Sequence, residues 1–570
     1  MHDLRYAFRQ LVKTPGFTLV AVATLALGIG LNTSMFSLMN MLLLQPLPFP
    51  ERDQLVRVYR TTPQSQTANH TAPDSLELMR ETSDFAEMAA YRQWSLSLAA
   101  ADRPPVNLNV LRVTAGFFSV LGVQPELGRV FTPEEDRPGS NVVILSHATW
   151  QAQFGGDPAV VGSVVRIDGS PTTIIGVMPA SFASILLWGP GDAFRPMAFT
   201  DVEKLDRKDS SVALLARHRR ELSLSQVNAR LDSLAARLAE HRPREQNQDG
   251  LAAVTLQSTT SNSGSRGISW LLLGLAGFVL LIACANLANL QLARAVARTH
   301  EFAVRAALGA TRARLLGPLL CESLLLSLTG GLLGILIATW ANDWIASQLS
   351  ANGLVTFSLE LDLLVLLFAI GLSTVTGLIF GLVPAWLISR VRVGETLKSG
   401  ARGNTATRAQ HRFRHGLIVA QFALALVLLA GAGVFLRGMH RMLTSEVGWD
   451  QTSLLQGVLS LPQNKYGTPE QAYAFYLSLQ EQLGTLPGVE SVAVGWTLPI
   501  FQFLTTRNYI AEGQEAPPAG REPMAFVNGV SPSFLATLNI SLLAGRNFTA
   551  ADTLSAPDVA IINESMARAL

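Results

Sequence analysis

Of 570 residues, 15% are charged and 49% hydrophobic, against about 25% charged in an ordinary soluble domain. A net charge of +2 provides no field to draw nucleic acid, so no such partner is expected. The two cysteines, Cys284 and Cys321, both lie in apolar runs and share no disulfide or metal-ligand spacing, and no cofactor is implied.

The low charge comes from five apolar stretches. A hydrocarbon core about 30 Å thick needs roughly 20 apolar residues in a helix. Phe17 to Leu44 meets this, as do Trp270 to Leu292, Leu319 to Ile345, Leu361 to Leu387 and Leu417 to Leu436. The first follows a short lead, 1–15, and no small-residue cleavage site follows it, so it reads as a retained helix rather than a signal peptide. The predicted fold class is a membrane α-helical protein of five spans with α+β extracytoplasmic domains.

Lysine and arginine in the short flanks set the direction. Arg5, Arg9 and Lys13 precede the first span. The loop after the second carries Arg294, Arg298, Arg305, Arg312 and Arg314 against Glu301. The segment between the fourth and fifth carries Arg390, Arg392, Lys398, Arg402, Arg408, Arg412 and Arg414 against Glu395. Five alternating crossings place these segments in the cytoplasm, and 45–267 and 437–570 outside.

Segment 45–267 reads as one or two packed subdomains. Asp74 opens a short helical run through Met79, and strand-like alternation follows near Trp94 to Leu98 and Val106 to Val113. Asp168-Gly169 between Val164–Ile167 and Thr172–Val177 is a hairpin signal. Ser223 and Gln226 form a capping box that opens an amphipathic helix through Leu224, Val227, Leu231 and Leu234. The run Glu134-Glu135-Asp136 reads as a solvated loop, and His70, His147, His218 and His241 are scattered, without metal spacing.

In the spans, Asn32, Asn40, Asn286, Asn289 and Glu322 are the polar candidates. Hydrogen bonding between helices is the default reading, and a polar conduit is the alternative. Glu322 is placed near the cytoplasmic boundary, within reach of water. Gly330, Gly331 and Gly334 allow another helix to approach closely.

The second outer segment repeats the first. Val113, Phe117, Leu121, Gly128, Arg129, Phe131, Thr132, Val142, Ile144 and Ala152 recur, 417 positions on, as Val530, Phe534, Leu538, Gly545, Arg546, Phe548, Thr549, Val559, Ile561 and Ala569. A period this long is a duplicated domain rather than a solenoid. Leu454 to Leu461 and Val489 to Val494 read as strands around a helix capped by Thr468, Pro469 and Gln471, a β-α-β order suited to a small sheet with helices on one face. The second copy has no counterpart here of residues 154 to about 400, and is expected to be incomplete at its C-terminus. The paired Gly-Arg reads as a turn glycine with a packed or paired arginine.

The most specific run follows the second span: Arg298-Thr299-His300-Glu301-Phe302-Ala303-Val304-Arg305-Ala306-Ala307-Leu308-Gly309-Ala310-Thr311, then Glu322-Ser323-Leu324-Leu325-Leu326. With Pro384-Ala385, Gly176-Val177-Met178-Pro179 and Leu486-Pro487-Gly488-Val489, it resembles the MacB/FtsX-type permeases of ABC systems, and in its duplication their acidobacterial type. The resemblance divides the chain into a lead (1–15), helix 1 (16–44), a MacB-like periplasmic core domain (45–267) and an FtsX-like transmembrane domain (268–400) with a cytoplasmic loop (294–315). A linker (401–416), helix 5 (417–436) and the second, incomplete core domain (437–570) follow. It implies a bacterial inner membrane location, a cytoplasmic ABC ATPase dimer docking on the loops, and room for a periplasmic adaptor. It also implies a pseudo-dimer within one full-length chain.

No G-x-x-x-x-G-K-[ST] phosphate cradle occurs in the sequence, so ATPase activity is expected in a partner alone. Glu301 and Arg305, four apart, share a helix face; Phe302 can seat in a partner's groove, Gly309 can cap the helix, and Arg298 opens the motif. The competing reading of this loop is a basic anchor on the headgroups. For the whole chain, the alternatives to a permease are a membrane-anchored sensor, signalling or scaffold protein without transport, and a membrane enzyme. The enzyme is disfavoured by the lack of any nucleophile–base or metal constellation.

Overall fold

A computed structural model describes residues 2–62, 65–99, 106–182, 185–189, 191–239, 249–260, 263–297, 312–350, 361–389, 408–444, 453–459, 461, 465–497, 506–513, 517, 523–553 and 556–570. The chain forms two compact units. One joins 1–46 to 260–444, and the other joins 47–259 to 445–570.

The first unit is helical. His2–Lys13 is amphipathic, burying Ala7 and Leu11 and exposing Phe8 and Val12. Thr14 interrupts it, and Pro15 opens the first span at the position where its missing N–H costs nothing. That helix, Pro15–Met39, tightens into a π-helical turn over Asn40–Leu44. The other spans lie in helices Ser263–Ala297, Arg312–Ser350, Leu363–Ser389 and Arg408–Thr444. Among the described residues, four stretches are long and apolar enough to cross a membrane: Pro15–Met39, Arg266–Arg294, Gly317–Gln348 and Arg414–Arg441. The fourth predicted span has a shorter described apolar run, Leu363–Ile379.

The first span is the hub of this unit. Ala21, Leu25 and Ile29 pack with Leu280, Cys284 and Leu287 of the second span and Leu326 of the third. Its approach to the third is backbone-close. A Cβ on Gly30 would lie 2.9 Å from the Gly334 carbonyl, and one on Gly330 would lie 2.7 Å from Leu25 Cβ. Gly331 and Gly377 leave room in the same way for Ser373 and Ser327, tying the third span to the fourth. Since lipid tails are as apolar as leucine, this close packing rather than burial drives association.

The second unit contains a ten-stranded sheet. Its strands are β1 (Leu55–Thr61), β2 (Ala86–Ala99), β3 (Val106–Val113), β4 (Leu127–Gly128), β5 (Val142–Leu145), β6 (Val164–Ile167), β7 (Ser170–Val177), β8 (Ala193–Pro196), β9 (Ala213–His218) and β10 (Gly250–Thr255). The order is β10-β1-β9-β2-β3-β8-β5-β7-β4, with β6 bridging β2 and β7. The pairings β2-β3-β8-β5-β7-β6 return to β2 and close a small barrel, which removes free edges. Leu96, Leu98, Leu108, Val110, Val143, Leu145, Ile167, Ile174 and Ala193 fill it. At fourteen residues, β2 serves both parts: Ala86 to Tyr91 pair with β9, and Tyr91 to Leu98 pair with β3.

The expected local signals take shape here. Asp168 and Gly169, at φ +50° and +77°, make the β6–β7 turn, a geometry that suits the strand twist. Ser223 and Gln226 cap helix Leu224–Ala239, which buries Val227, Leu231, Leu234, Ala235 and Leu238 on the outer half of the sheet. Helix Phe117–Leu121 packs on the opposite face. Helices therefore cover both faces of the first copy.

The second copy follows the same order. Thr468 caps helix Pro469–Gly484 with the full box, as Thr71 caps Ala72–Glu81. Helix Phe534–Thr537 matches Phe117–Leu121, and Asn563 caps Glu564–Ala569 where Ser146 caps His147–Phe154. Two expectations fail. The described parts of Leu454 to Leu461 and Val489 to Val494 are irregular, and the nearby Gly495 makes only an isolated bridge to Val530. Alternation marks a strand only where a neighbouring strand completes the ladder, and none does among the described residues. Leu455 and Val458 are accordingly exposed.

Gly334→Leu should force the first and third spans apart. The midpoint for thermal unfolding of the chain in detergent should fall by several degrees, whereas Gly416→Leu, at a position with open space around it, should leave the midpoint unchanged.

Candidate functional site

The predicted coupling residues Arg298, Glu301, Phe302, Arg305 and Gly309 lie outside the described residues. The helices that flank them are described, and their inner ends meet at Arg294. Its guanidinium donates to Oε1 of Glu322 at 2.5 Å and to Oγ1 of Thr14, and lies 4.0 Å from the centre of the Phe17 ring. One side chain of the second span thus holds the third span, the elbow after the N-terminal helix and the first turn of the first span. Next to it, Gln291 donates to Ser323 at 2.9 Å. Glu322 is 8% exposed and paired rather than hydrated. A charged side chain within a span is costly unless it is paired.

The remaining polar candidates spread along the spans. Asn32 is buried and donates 2.8 Å bonds to the carbonyls of Gly28 and of Ala276 in the second span. Asn40 donates to Asp362 at 2.7 Å. Asn286 accepts from Gln421 of the fifth span at 3.0 Å, while the Asn289 carbonyl oxygen is buried without a hydrogen-bond partner among the described residues. Asn342 was not singled out by the sequence reading, although a lone amide at the end of an apolar run was a signal. It accepts from Ser34 at 2.6 Å and donates to Ser37 at 3.2 Å. Polar side chains here join helices to one another.

The outer unit carries two charged sites. The first is a clasp present in both copies. Arg129 grips Glu135 with two bonds of 2.8 and 2.6 Å, and Arg546 grips Asp552 with two of 2.8 and 2.7 Å. Thr132 and Thr549 each donate a backbone N–H to the same carboxylate. Gly128 and Gly545, at φ +79° and +83°, turn the chain into the clasp. The hydrogen bond from each arginine, the largest cause, holds Glu135 and Asp552 below the usual carboxylate range. The run 134–136 is therefore not a solvated loop: Asp136 accepts the N–H groups of Ala115 at 3.1 Å and Ala198 at 2.7 Å, and of the three only Glu134 is exposed.

The second site is a row of arginines across the barrel wall. Arg92 on β2 pairs in register with Arg112 on β3, which pairs with Arg195 on β8. All three follow or precede core-facing residues by two positions (Ala90 and Trp94, Val110, Ala193), so they share the face that lines the barrel. The loop from β8 to β9 covers them. Glu203 Oε1 accepts from Arg92 at 2.5 Å and Arg112 at 3.2 Å, and its Oε2 accepts from the Thr200 N–H at 2.9 Å. Asp209 accepts from Arg92 at 3.3 Å, and Arg207 pairs with the buried Asp74 at 2.9 Å. Burial alone would raise the Glu203 carboxyl, but the Thr200 N–H and the two arginines outweigh it and hold it at about 2. Burial, then the like charge of Arg92, lowers Arg112 from its ordinary value. Sequence reading missed this row because its members are adjacent only through strand register.

Among the described residues, no group of three or more His, Cys, Asp or Glu could hold a metal ion. His70 and His218 bond backbone carbonyls and His147 bonds Glu126; His241 lies outside the described residues.

Two family models cover most of the chain. The MacB-like periplasmic core domain matches residues 18–247 and again 416–570, and the FtsX-like permease C-terminal region matches 273–393. The chain belongs to the MacB/FtsX-type ABC permeases. It is a membrane protein with two copies of the periplasmic-type domain flanking one FtsX-like segment. It is 28% identical over 275 residues to the macrolide export ATP-binding/permease protein MacB of Nitrosomonas europaea, covering 46% of this chain and 38% of that protein. It is 24% identical over 300 residues to the probable syringafactin export ATP-binding/permease protein SyfD of Pseudomonas syringae pv. tomato, covering 50% and 41%. The chain thus spans about two fifths of the length of these curated relatives. Among solved structures, the periplasmic region of MacB from Actinobacillus actinomycetemcomitans shares 14% identity at a TM-score of 0.28, covering 36% of this chain and 90% of that one.

The depressed Glu203 value fixes a pH window. A carboxylate held below its ordinary value of 4.5 contributes stability that is complete above 4.5 and is lost as pH falls through about 2. The gap in unfolding midpoint between the natural chain and Glu203→Gln should therefore be full at pH 7, shrink below about 4.5 and vanish near pH 2, read by thermal unfolding across that range.

Proposed function

We propose that this permease carries ATP-driven motion from a separate cytoplasmic ATPase dimer to its periplasmic domains, and thereby exports or extrudes a substrate. The N-terminus and basic loops lie in the cytoplasm, and both core domains lie in the periplasm of a bacterial inner membrane. The export proteins similar to this chain are named ATP-binding/permease proteins, which supports an ATPase as partner. Two core domains on one chain support a pseudo-dimeric arrangement, with a periplasmic adaptor as a further partner.

Arg294 carries the transmission reading. It opens the 294–315 loop, seven residues before Glu301, and it grips the third span and the base of the first. The first span runs on through Asn40–Leu44 directly into the chain of the outer unit. A push on the loop therefore reaches the third span through the Arg294–Glu322 ion pair and the base of the first through the Thr14 hydroxyl and the Phe17 ring, without a wide polar pore. The spans' polar side chains hold helices together instead of lining a path.

Breaking this pair on one side should uncouple the permease without detaching its ATPase. Arg294→Gln or Glu322→Gln should still co-purify with the ATPase but lose at least about tenfold in ATP-dependent export into inverted vesicles. The double variant should cost less than the sum of the two, because no lone charge remains. Charge reversal at Glu301 or Arg305 should abolish co-purification itself. Full export by both single Arg294 and Glu322 variants would remove the transmission role, and intact ATPase binding by both loop variants would remove the docking role.

A further inference from the structure

The row Arg92, Arg112 and Arg195 is costly as pure scaffolding. Like charges directly opposite in a sheet destabilise it, and buried ion pairs recover little of the desolvation they demand. The row also stands where ligands bind in small barrels, at the mouth. Along β2 the barrel-lining face reads Arg92, Trp94, Leu96, Leu98, passing from charge to apolar interior. Trp94 lies under the guanidinium groups, 5.0 Å from Arg92 and 5.8 Å from Arg112. An aromatic platform with two guanidinium groups and an apolar floor is a recognition surface for a carboxylate on a partly apolar ligand.

The present occupant comes from the chain itself. Glu203 is the one carboxylate shared by Arg92 and Arg112 among the described residues, and it sits on a loop of turns whose Val202 and Leu205 are 78% and 83% exposed. The site is also under-filled. Arg92 is 6% exposed, yet its Nε is buried with no hydrogen-bond partner among the described residues. Arg195 is given a backbone acceptor, Ser140 O at 3.2 Å, rather than a carboxylate bond. Arg112 also donates to the Met197 and Ala198 carbonyls, so of the five donors a guanidinium can present, those left for an anion lie with Arg92 and Arg195.

We propose that Arg92, Arg112 and Arg195, with Trp94, form a carboxylate-binding site at the barrel mouth, and that Glu203 is an exchangeable internal stand-in for the ligand. Loop 200–209 is then a lid. It is held by Glu203 and Asp209 on Arg92 and by Arg207 on Asp74, and it lifts when an outside carboxylate takes the place of Glu203. The ligand is an acidic peptide side chain or a small organic acid; the chemistry recognised is the same. This inference concerns the outer domain alone and does not depend on how the membrane unit is driven.

The test uses the full chain in detergent, with sodium acetate and the peptide acetyl-Gly-Glu-Gly-amide as probes and sodium chloride at matched ionic strength as control. In Glu203→Ala, acetate or peptide should raise the unfolding midpoint saturably, at least about tenfold more effectively per mole than chloride. Adding Arg112→Gln should abolish that rise. In the natural chain, a saturating probe should speed hydrogen exchange of 200–209 while slowing that of Arg92 and Arg112. Opening by acetate points to a small acid and opening by peptide alone to an acidic partner segment; either sustains the site. If Glu203→Ala does not fold, the exchange experiment on the natural chain decides. Lid exchange unmoved by both probes would reduce Glu203 to a fixed structural latch and overturn the proposal.

Discussion

A polar side chain in hydrocarbon has no water to turn to, and this constraint organises the membrane unit. Each amide, hydroxyl and charge placed at that depth needs another part of the protein, so polar residues become the places where helices are tied. Asn32 ties the first span to the second, Asn342 ties the third to the first, and Gln421 ties the fifth to the second. Glycines supply the complementary half: they bring backbones close enough for those short side chains to reach. Since each such bond is worth about 0.6 kcal/mol, they fix geometry more than they add stability. Arg294 is the exception in kind, since its ion pair, ring contact and hydroxyl bond converge on one group.

Legibility in the sequence followed how local each signal was. Spans, caps and the Asp168-Gly169 turn were readable because helix period, capping box and positive φ are properties of a few neighbouring residues. The duplicated domain was readable because ten identities kept one spacing, and the arginine clasps now show what the Gly-Arg and Glu135/Asp552 positions preserve. Reading went wrong where structure depended on distant partners. Leu454 to Leu461 alternates as a strand should, but no ladder partner meets it among the described residues. For Glu322 the sequence leaves hydration open beside helix–helix bonding, because its partner is 28 residues earlier on another helix.

The arginine row shows the same limit from the other side. Nothing in the spacing of Arg92, Arg112 and Arg195 relates them; strand register alone brings them side by side. The fold then has to neutralise a charge density that no local pattern announced. It does so with a loop that reads in sequence as an ordinary polar connection. Functional sites built by register will be missed by any reading that works along the chain, and found by asking which side chains face each other across it.

The fourteen-residue strand β2 has one further consequence. Residues 106–196, which make up most of the barrel, enter and leave between β2 and β9, two strands that already pair with each other. The insert is also part of the sheet's own core: its Phe117, Phe118, Ile175 and Phe194 pack with Leu55, Ala89 and Leu215 on one face. Changes in the insert are therefore felt on that face, while the face under helix Leu224–Ala239 keeps a core to which 106–196 contributes nothing.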